Sequence, residues 1–242
     1  MPDADLDQTA HALMGAAFGS AGERCMAISA VVVVGEATAD RLIERIKPMI
    51  QSMKIDAGDV VGCEMGPLIS DAHRERVLQA ITEGVDEGAD LVLDGRLFTH
   101  PEYPNGYFVG PSLFDHVTDD MRVYQREIFG PVLVVLRVKN FDEALALVNR
   151  NLYGNGTAIF TRSGYYAREY SRRVQVGMVG INVPIPVPIA THPFGGWKRS
   201  AFGDTGMHGA ESIHFYTRKK TVTARWPMDG APEAHAFAMP TH

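Results

Sequence analysis

The sequence predicts an α/β protein with a parallel sheet and helices on both faces. Apolar, β-branched runs such as residues 28–34 and 132–138 alternate with amphipathic segments that have helical spacing. These runs are apolar at nearly every position, which is typical of strands covered on both faces. The 242-residue chain is 45% hydrophobic and 21% charged, as expected for a globular protein with a sizeable core. The alternation therefore favours one parallel-sheet domain.

Local patterns predict each element in turn. Apolar residues at helical spacing predict helices over residues 5–18 and 42–53, and Ser70 is expected to cap a third helix. Proline at positions 184, 186 and 188 predicts an extended surface segment over residues 181–190. The remaining predicted elements are strands at 28–34 and 91–93, a loop at 98–112, a strand at 132–138, a helix at 141–150, a strand at 156–161, a helix at 164–174 and a final strand at 221–226.

Charge and hydropathy exclude several classes of function. The net charge of −6, from 23 basic and 29 acidic residues, disfavours a nucleic-acid partner because an acidic surface repels phosphate. No apolar run approaches the roughly 20 residues of a membrane span. The first residues lack the features of a targeting segment, so we expect a cytoplasmic protein with no membrane partner. Two cysteines and scattered histidines predict neither a disulfide scaffold nor a metal site.

Cys25 is the first candidate for chemistry. It follows two glycines and Arg24, between a predicted helix and a buried strand. A neighbouring cation favours the thiolate, which is the reactive form, and such a junction can aim backbone N–H groups at an oxyanion. The alternative is a buried cysteine that acts as a small apolar side chain. Cys63 has no comparable setting, and we expect it to be inert.

Glu127 is the second candidate. It stands with Phe129 in the sequence REIFGP, directly before a buried strand. A carboxylate accepts two ribose hydroxyls well, as acidic residues do in dinucleotide sites. The alternative is an ion pair with Arg126 or another surface base. The glycine-rich loop at 193–204 is a weaker signal of close approach to a ligand or chain.

Several motifs, in their order along the chain, resemble the aldehyde dehydrogenase superfamily. They are FGSAGERC (18–25), GPLIS (66–70), GYFVGPSLF (106–114), EIFGPVLVV (127–135), YGNGTAIFT (153–161), and GMVGINVPIPVP (177–188) with PFGGWKRS (193–200). The segments MPDADLDQTA, SAGERCMAIS, INVPIPVPIA and HFYTRKKTVTARWP resemble, more narrowly, the CoA-acylating methylmalonate-semialdehyde dehydrogenase branch. The resemblance spans nearly all of residues 1–227 and implies the fold of this superfamily.

The resemblance also implies a role for each matching residue. Cys25 matches the nucleophile that adds to an aldehyde, passes hydride to NAD and is left as a thioester, with its backbone N–H as one oxyanion donor. CoA then takes the acyl group, and loss of carbon dioxide gives propionyl-CoA or acetyl-CoA, a reaction of valine catabolism. Glu127 matches the residue that holds the nicotinamide ribose, and Phe129 the ring beside it. Arg24 is placed to bind the carboxylate of a semialdehyde acid, its alternative being a helix or loop ion pair.

Domain organisation follows from the same resemblance. Family members are about twice as long and carry a Rossmann-like NAD domain ahead of the cysteine, whereas this sequence has no glycine-rich phosphate loop. We therefore expect a catalytic domain at 1–212, an oligomerisation segment at 213–227 and a disordered tail at 228–242, with the NAD-binding half absent. Expected partners are further copies in a dimer or tetramer, or a separate N-terminal half. Glu23 and Ala201 depart from the superfamily, which more often has Gln and Gly there.

Three functional hypotheses remain open from the sequence. The first is a CoA-acylating semialdehyde dehydrogenase. The second is a non-catalytic fragment that folds and associates but is inactive without the NAD-binding half. The third is a cysteine hydrolase built on Cys25, which needs a histidine base within reach.

Overall fold

The structure is a computed structural model that describes residues 1–224 and residue 226. The helices are α1 (Leu6–Leu13), α2 (Glu36–Gln51), α3 (Asp71–Asp86), α4 (Arg122–Gln125), α5 (Phe141–Arg150), α6 (Gly164–Arg173) and α7 (Glu211–Tyr216). The strands are β1 (Ala30–Val34), β2 (Asp90–Leu93), β3 (Ser112–Asp115), β4 (Val132–Val138), β5 (Tyr153–Gly154), β6 (Gly156–Ile159), β7 (Met178–Ile181) and β8 (Trp197–Lys198). Helices and strands alternate over much of the chain, as the sequence predicts, although α2 and α3 are consecutive, as are β2 and β3.

A four-stranded sheet in the order β1-β4-β3-β2 forms the centre of the fold. Strand β4 pairs in parallel with both β1 and β3, and Val32 of β1 lies opposite Leu136. Strand β2 runs antiparallel to β3 at the edge of the sheet. The predicted parallel α/β sheet is therefore confirmed, with one antiparallel edge strand added.

The remaining strands do not join this sheet. Strands β6 and β7 form a separate parallel pair, and β5 and β8 a short antiparallel pair. The described strands thus divide into one main sheet and two small pairs, and residues of β1 and β6 line the same cavity.

Side-chain caps explain where the helices begin. The Ser70 hydroxyl accepts a hydrogen bond from the backbone N–H of His73, so the predicted N-cap of α3 is confirmed. Asn140 caps α5 and Ser163 caps α6 in the same way. Each cap satisfies one of the backbone donors that a helix start leaves without an intrahelical partner.

The main core lies around β4, whose residues 132–136 are all buried. Helices α1, α2 and α3 contribute the apolar side chains packed around them. A smaller apolar cluster, centred on Phe141 and Tyr170, packs α5 against α6. No helix in the described part of the chain is both long enough and apolar enough to traverse a bilayer.

Several elements differ from the sequence-based expectation. The helix predicted over 5–18 is regular only to Leu13 and continues as a π-helical turn to Phe18. Strand β3 begins at the end of the predicted loop, and β7 precedes the proline-rich segment, which carries no strand after Ile181. Residues 221–224 pair with no other described segment, so the final strand stays a prediction for an interface between subunits. The expected tail at 228–242 lies outside the described residues.

Candidate functional site

The chain turns sharply just before Cys25. Ser20, Ala21 and Gly22 all have left-handed backbone conformations, with φ of 54°, 53° and 71°. We call residues 20–25 the nucleophile loop. It begins within the helical segment Gly19–Gly22 and ends five residues before β1, and it carries Cys25 exposed on the protein surface.

The surroundings of Cys25 fit a nucleophile. Its side chain is exposed, so the alternative of a buried and inert cysteine is wrong. Its carbonyl oxygen accepts a hydrogen bond of 3.3 Å from Asn155 Nδ2, which fixes the loop from the opposite side. Its backbone N–H donates to no acceptor among residues 1–224, which leaves it available to an oxyanion. By contrast, the half-buried Cys63 has its Sγ 3.3 Å from the carbonyl oxygen of Asp56.

Glu127 opens a second loop, the acidic segment (residues 127–131). The Glu127 side chain is exposed and has no ion pair within the described chain, whereas Arg126 lies 3.8 Å from Glu83. The alternative of a pair between Glu127 and Arg126 is therefore wrong. Phe129 is 38% exposed and has a φ of 58°, a conformation that an aromatic residue rarely adopts.

The nucleophile loop and the acidic segment touch through their backbones. A Cβ atom placed on Gly22 would lie 2.2 Å from the carbonyl oxygen of Gly130, so only glycine fits there. His73, in the first turn of α3, joins the two loops: its Nε2 lies 2.7 Å from Phe129 O and 3.3 Å from Glu23 Oε1. His73 is not predictable from the sequence, because its partners are remote along the chain and no local motif marks it.

Arg24 stands beside the nucleophile with its guanidinium turned back along the chain. Nη2 donates a hydrogen bond of 2.6 Å to the carbonyl oxygen of Gly15, at the π-helical turn after α1. Within the described residues Arg24 is exposed and has no carboxylate in ion-pair range, so the alternative of a structural ion pair is wrong. Its guanidinium has five donor N–H groups, more than one carbonyl can use.

One open cavity of about 590 Å³ brings all the predicted site residues together. Cys25, Arg24, Glu127 and Phe129 line it, on the side formed by the central sheet. The opposite side contains residues not singled out from the sequence, which include Asn155, Arg199 and Ser200. Arg199 and Ser200 belong to the glycine-rich loop at 193–204, for which the sequence predicted close approach to a ligand or chain. Part of that loop therefore lines the cavity.

The residues present fit one end of a dinucleotide. An exposed, unpaired carboxylate at Glu127 can accept two ribose hydroxyls, and the exposed ring of Phe129 offers an apolar face beside it. No described histidine lines the cavity, and the hydrolase hypothesis therefore lacks a base next to Cys25. Within the described chain, no three His, Cys, Asp or Glu side chains are arranged to bind a metal ion.

Comparison with known proteins identifies the family of the chain. The model of the aldehyde dehydrogenase family matches residues 1–222. Malonate-semialdehyde dehydrogenase of Pseudomonas aeruginosa is 54% identical over 241 residues, which are 100% of this chain and 48% of that protein. The mitochondrial, acylating methylmalonate-semialdehyde/malonate-semialdehyde dehydrogenase of Bos taurus is 48% identical over 244 residues, 100% of this chain and 45% of that one.

A solved structure extends the agreement to three dimensions. A protein from Sinorhizobium meliloti, assigned as a methylmalonate-semialdehyde dehydrogenase and complexed with NAD, matches with a TM-score of 0.92 and 55% identity. The match covers 94% of this chain and 46% of that chain. The chain thus spans about half the length of the relatives it matches.

Proposed function

The chain belongs to the aldehyde dehydrogenase family, and we propose that it carries the catalytic centre for NAD-dependent, CoA-acylating oxidation of methylmalonate or malonate semialdehyde. The observation that carries this proposal is the convergence of an exposed Cys25 with Arg24, Glu127 and Phe129 on one cavity. The named relatives support the choice of substrates.

The Cys25 thiolate begins the reaction by forming a carbon–sulfur bond to the aldehyde carbon. The carbonyl electron pair moves onto oxygen, where the backbone N–H of Cys25 stabilises it. Glu127 would hold the nicotinamide ribose of NAD and Phe129 would lie beside its ring; bound in this way, NAD would supply the acceptor for the hydride of that carbon. The carbonyl re-forms as the hydride leaves, and the acyl group remains on Cys25 as a thioester. The CoA thiol forms a new carbon–sulfur bond and Cys25 is released as the thiolate. The substrate carboxylate is lost as carbon dioxide, and a proton from solvent replaces it on the α-carbon.

Arg24 binds the substrate carboxylate in this proposal. A guanidinium offers paired N–H donors that match both carboxylate oxygens, and Arg24 directly precedes the nucleophile. The two candidate substrates differ by one methyl group, which a pocket discriminates only by roughly 10–200-fold. We therefore expect both to be oxidised.

The chain is proposed to need the polypeptide that its relatives carry in their other half. It spans 48% of the Pseudomonas aeruginosa relative, and its sequence has no glycine-rich phosphate loop. In this proposal Glu127 binds only the nicotinamide ribose, so the rest of the dinucleotide needs contacts from the other half. The non-catalytic hypothesis thus applies to the chain when it is assayed alone.

Self-association through residues 213–227 belongs to the same proposal. Ile213, Phe215 and Tyr216 are 65%, 52% and 77% exposed, and Trp226 is 83% exposed. Large apolar side chains exposed in one stretch are typical of an interface. We infer a dimer or tetramer in the cytoplasm, which sedimentation of the wild-type chain and of a Phe215→Ser variant would test.

The test of the function is NADH formation with methylmalonate semialdehyde, NAD and CoA. The chain is assayed alone and with the polypeptide corresponding to the other half of its relatives. We expect NADH only in the second assay, and propionyl-CoA by mass spectrometry only when CoA is present. Turnover by the chain alone contradicts the requirement for a second half, and CoA-independent turnover contradicts acylation. No turnover in either assay contradicts the activity itself.

A further inference from the structure

His73 is a buried histidine that the mechanism above does not use. Its side chain is 8% exposed, and its backbone N–H is fixed by the Ser70 cap at the start of α3. The helix therefore holds the ring rigidly beneath the site, between the nucleophile loop and the acidic segment.

The partners of the ring define its hydrogen-bonding state. Phe129 O, 2.7 Å from Nε2, is a carbonyl oxygen and can only accept, so Nε2 carries a proton. Arg76 Nη2, 3.1 Å from Nδ1, belongs to a guanidinium and can only donate, so Nδ1 is the acceptor. These two partners assign a neutral ring with its proton on Nε2. The carboxylate of Glu23 lies 3.3 Å from that same Nε2.

Both groups at Nε2 belong to the loops that carry the chemistry. Phe129 is two residues from Glu127; it has a left-handed φ of 58°, and its carbonyl oxygen accepts the hydrogen bond from His73. Glu23 is two residues from Cys25, and its Oε1 also accepts from the backbone N–H of Ile69, just ahead of α3. One N–H group thus contacts the nucleophile loop and the acidic segment together.

We propose that His73 is a positioning residue: its Nε2–H holds Phe129 O by a hydrogen bond, its ring lies against the Glu23 carboxylate, and these two contacts fix Cys25 relative to Glu127. This inference rests on the proposed function, because it assigns Glu127 to the cofactor. His73 does not line the cavity and acts only through the two loops. The contact between Gly22 and Gly130 keeps the loops adjacent, and His73 sets their orientation.

The test compares His73→Ala with His73→Gln, whose side-chain amide keeps an N–H donor. The first readout is the pH dependence of Cys25 alkylation by iodoacetamide, measured in a Cys63→Ala background. It needs no cofactor and no turnover. The second readout is the KM for NAD against kcat, in the assembled enzyme. Thermal unfolding of each variant, and His11→Ala as an exposed control, complete the set.

We expect His73→Ala to change the alkylation rate and to raise the KM for NAD, each at least about fivefold, with a smaller change in kcat. His73→Gln should recover most of both effects, and His11→Ala should resemble the wild type. The inference is overturned if His73→Ala leaves alkylation and the KM for NAD unchanged. It is also overturned if both variants lower only the unfolding temperature.

If His73→Ala does not fold, the His73→Gln variant tests the positioning role of His73. Wild-type alkylation and KM in that variant support the role of the donor, and loss of both contradicts it. Failure of the proposed function would be recognised separately, as an absence of NADH with the wild-type protein. The alkylation comparison would still decide the role of His73 in that case.

Discussion

The carbonyl oxygen of Gly130 lies against Gly22, so closely that a Cβ atom on Gly22 would be 2.2 Å away from it. The contact joins the loop that presents Cys25 to the segment that presents Glu127. Because Gly22 also has a φ of 71°, any side chain there is disfavoured by both its backbone conformation and its neighbour.

Gly22→Ala should therefore separate the two loops. We expect the free energy of unfolding to fall by about 1–3 kcal/mol. Dehydrogenase activity should fall about tenfold or more, since a displacement of reacting groups by an ångström slows the reaction strongly. Urea denaturation and steady-state kinetics measure these effects. Gly58→Ala is the matched control, because Gly58 has nothing within 4 Å and should tolerate a methyl group. Equal behaviour of the two variants would disprove the steric argument.

Cys25→Ala should abolish turnover and leave the fold intact. The side chain is exposed, so its removal creates no cavity, whereas the carbon–sulfur bond of the reaction cannot form without it. NADH production and circular dichroism measure the two properties. Cys63→Ala, which changes a thiol outside the cavity, should keep its activity. NADH production by the Cys25 variant would refute the assignment of the nucleophile.

Arg24→Ala should reduce the use of carboxylated aldehydes more than that of plain ones. Losing a charge-assisted hydrogen bond costs about 1.5–3 kcal/mol, which corresponds to a loss of roughly 10- to 150-fold in kcat/KM. The comparison uses methylmalonate semialdehyde and propanal as substrates. Arg24→Lys keeps the charge without the planar pair of donors and should be intermediate. Equal losses on both aldehydes would remove the carboxylate-binding role and indicate that the bond to Gly15 matters instead.

Arg137 and Asp115 form a buried ion pair at the end of the central sheet. Arg137 Nη2 lies 2.6 Å from Asp115, and the two side chains are 10% and 8% exposed. Arg137→Ala leaves Asp115 without its counter-charge and should lower the free energy of unfolding by about 3–5 kcal/mol. Arg150→Ala, which breaks an exposed pair with Asp119, should cost no more than about 1 kcal/mol. Similar losses in urea denaturation would contradict the role of burial.

The same pair predicts how stability depends on pH. Burial alone would raise the pKa of Asp115, but hydrogen bonds from Arg137 and from the backbone of His116 hold that pKa below its ordinary value. The ionised form is thus favoured more in the folded state than in the unfolded chain. The resulting stabilisation is complete at neutral pH and decreases as the pH falls below about 4, the unfolded value. Arg137→Ala should weaken this dependence, which unfolding measured at several acidic pH values would reveal.

Local patterns predicted the elements that are long or capped. Strand β4 has the expected bounds because it is a nearly continuous apolar run, and helix α5 because its apolar residues follow the helical period. The pairs β5–β8 and β6–β7 join residues distant in the sequence, and no local pattern reveals that β6 lies outside the main sheet. The sheet division depends on packing between whole elements.

The sequence predicted those residues of the candidate site that stand in recognisable motifs. Cys25, Arg24 and Glu127 stand in motifs, and the structure brings them to one cavity. The contacts of His73 could not be predicted, since its partner Phe129 is 56 residues away. The geometry of the nucleophile loop depends on residues with left-handed backbone conformations, such as Ser20. Serine seldom adopts that conformation, so the sequence does not predict it.

The two sides of the cavity belong to different parts of the fold. The central sheet and its loops carry Cys25 and Glu127, whereas Asn155 and Ser200 lie on or beside the small two-stranded sheets. Among residues 1–224 no backbone ladder links the two sides, and Asn155 contacts Cys25 through its side chain. That single hydrogen bond is therefore the place where a substitution on one side of the cavity reaches the nucleophile on the other, whereas Ser200 can change without altering the backbone that carries Cys25.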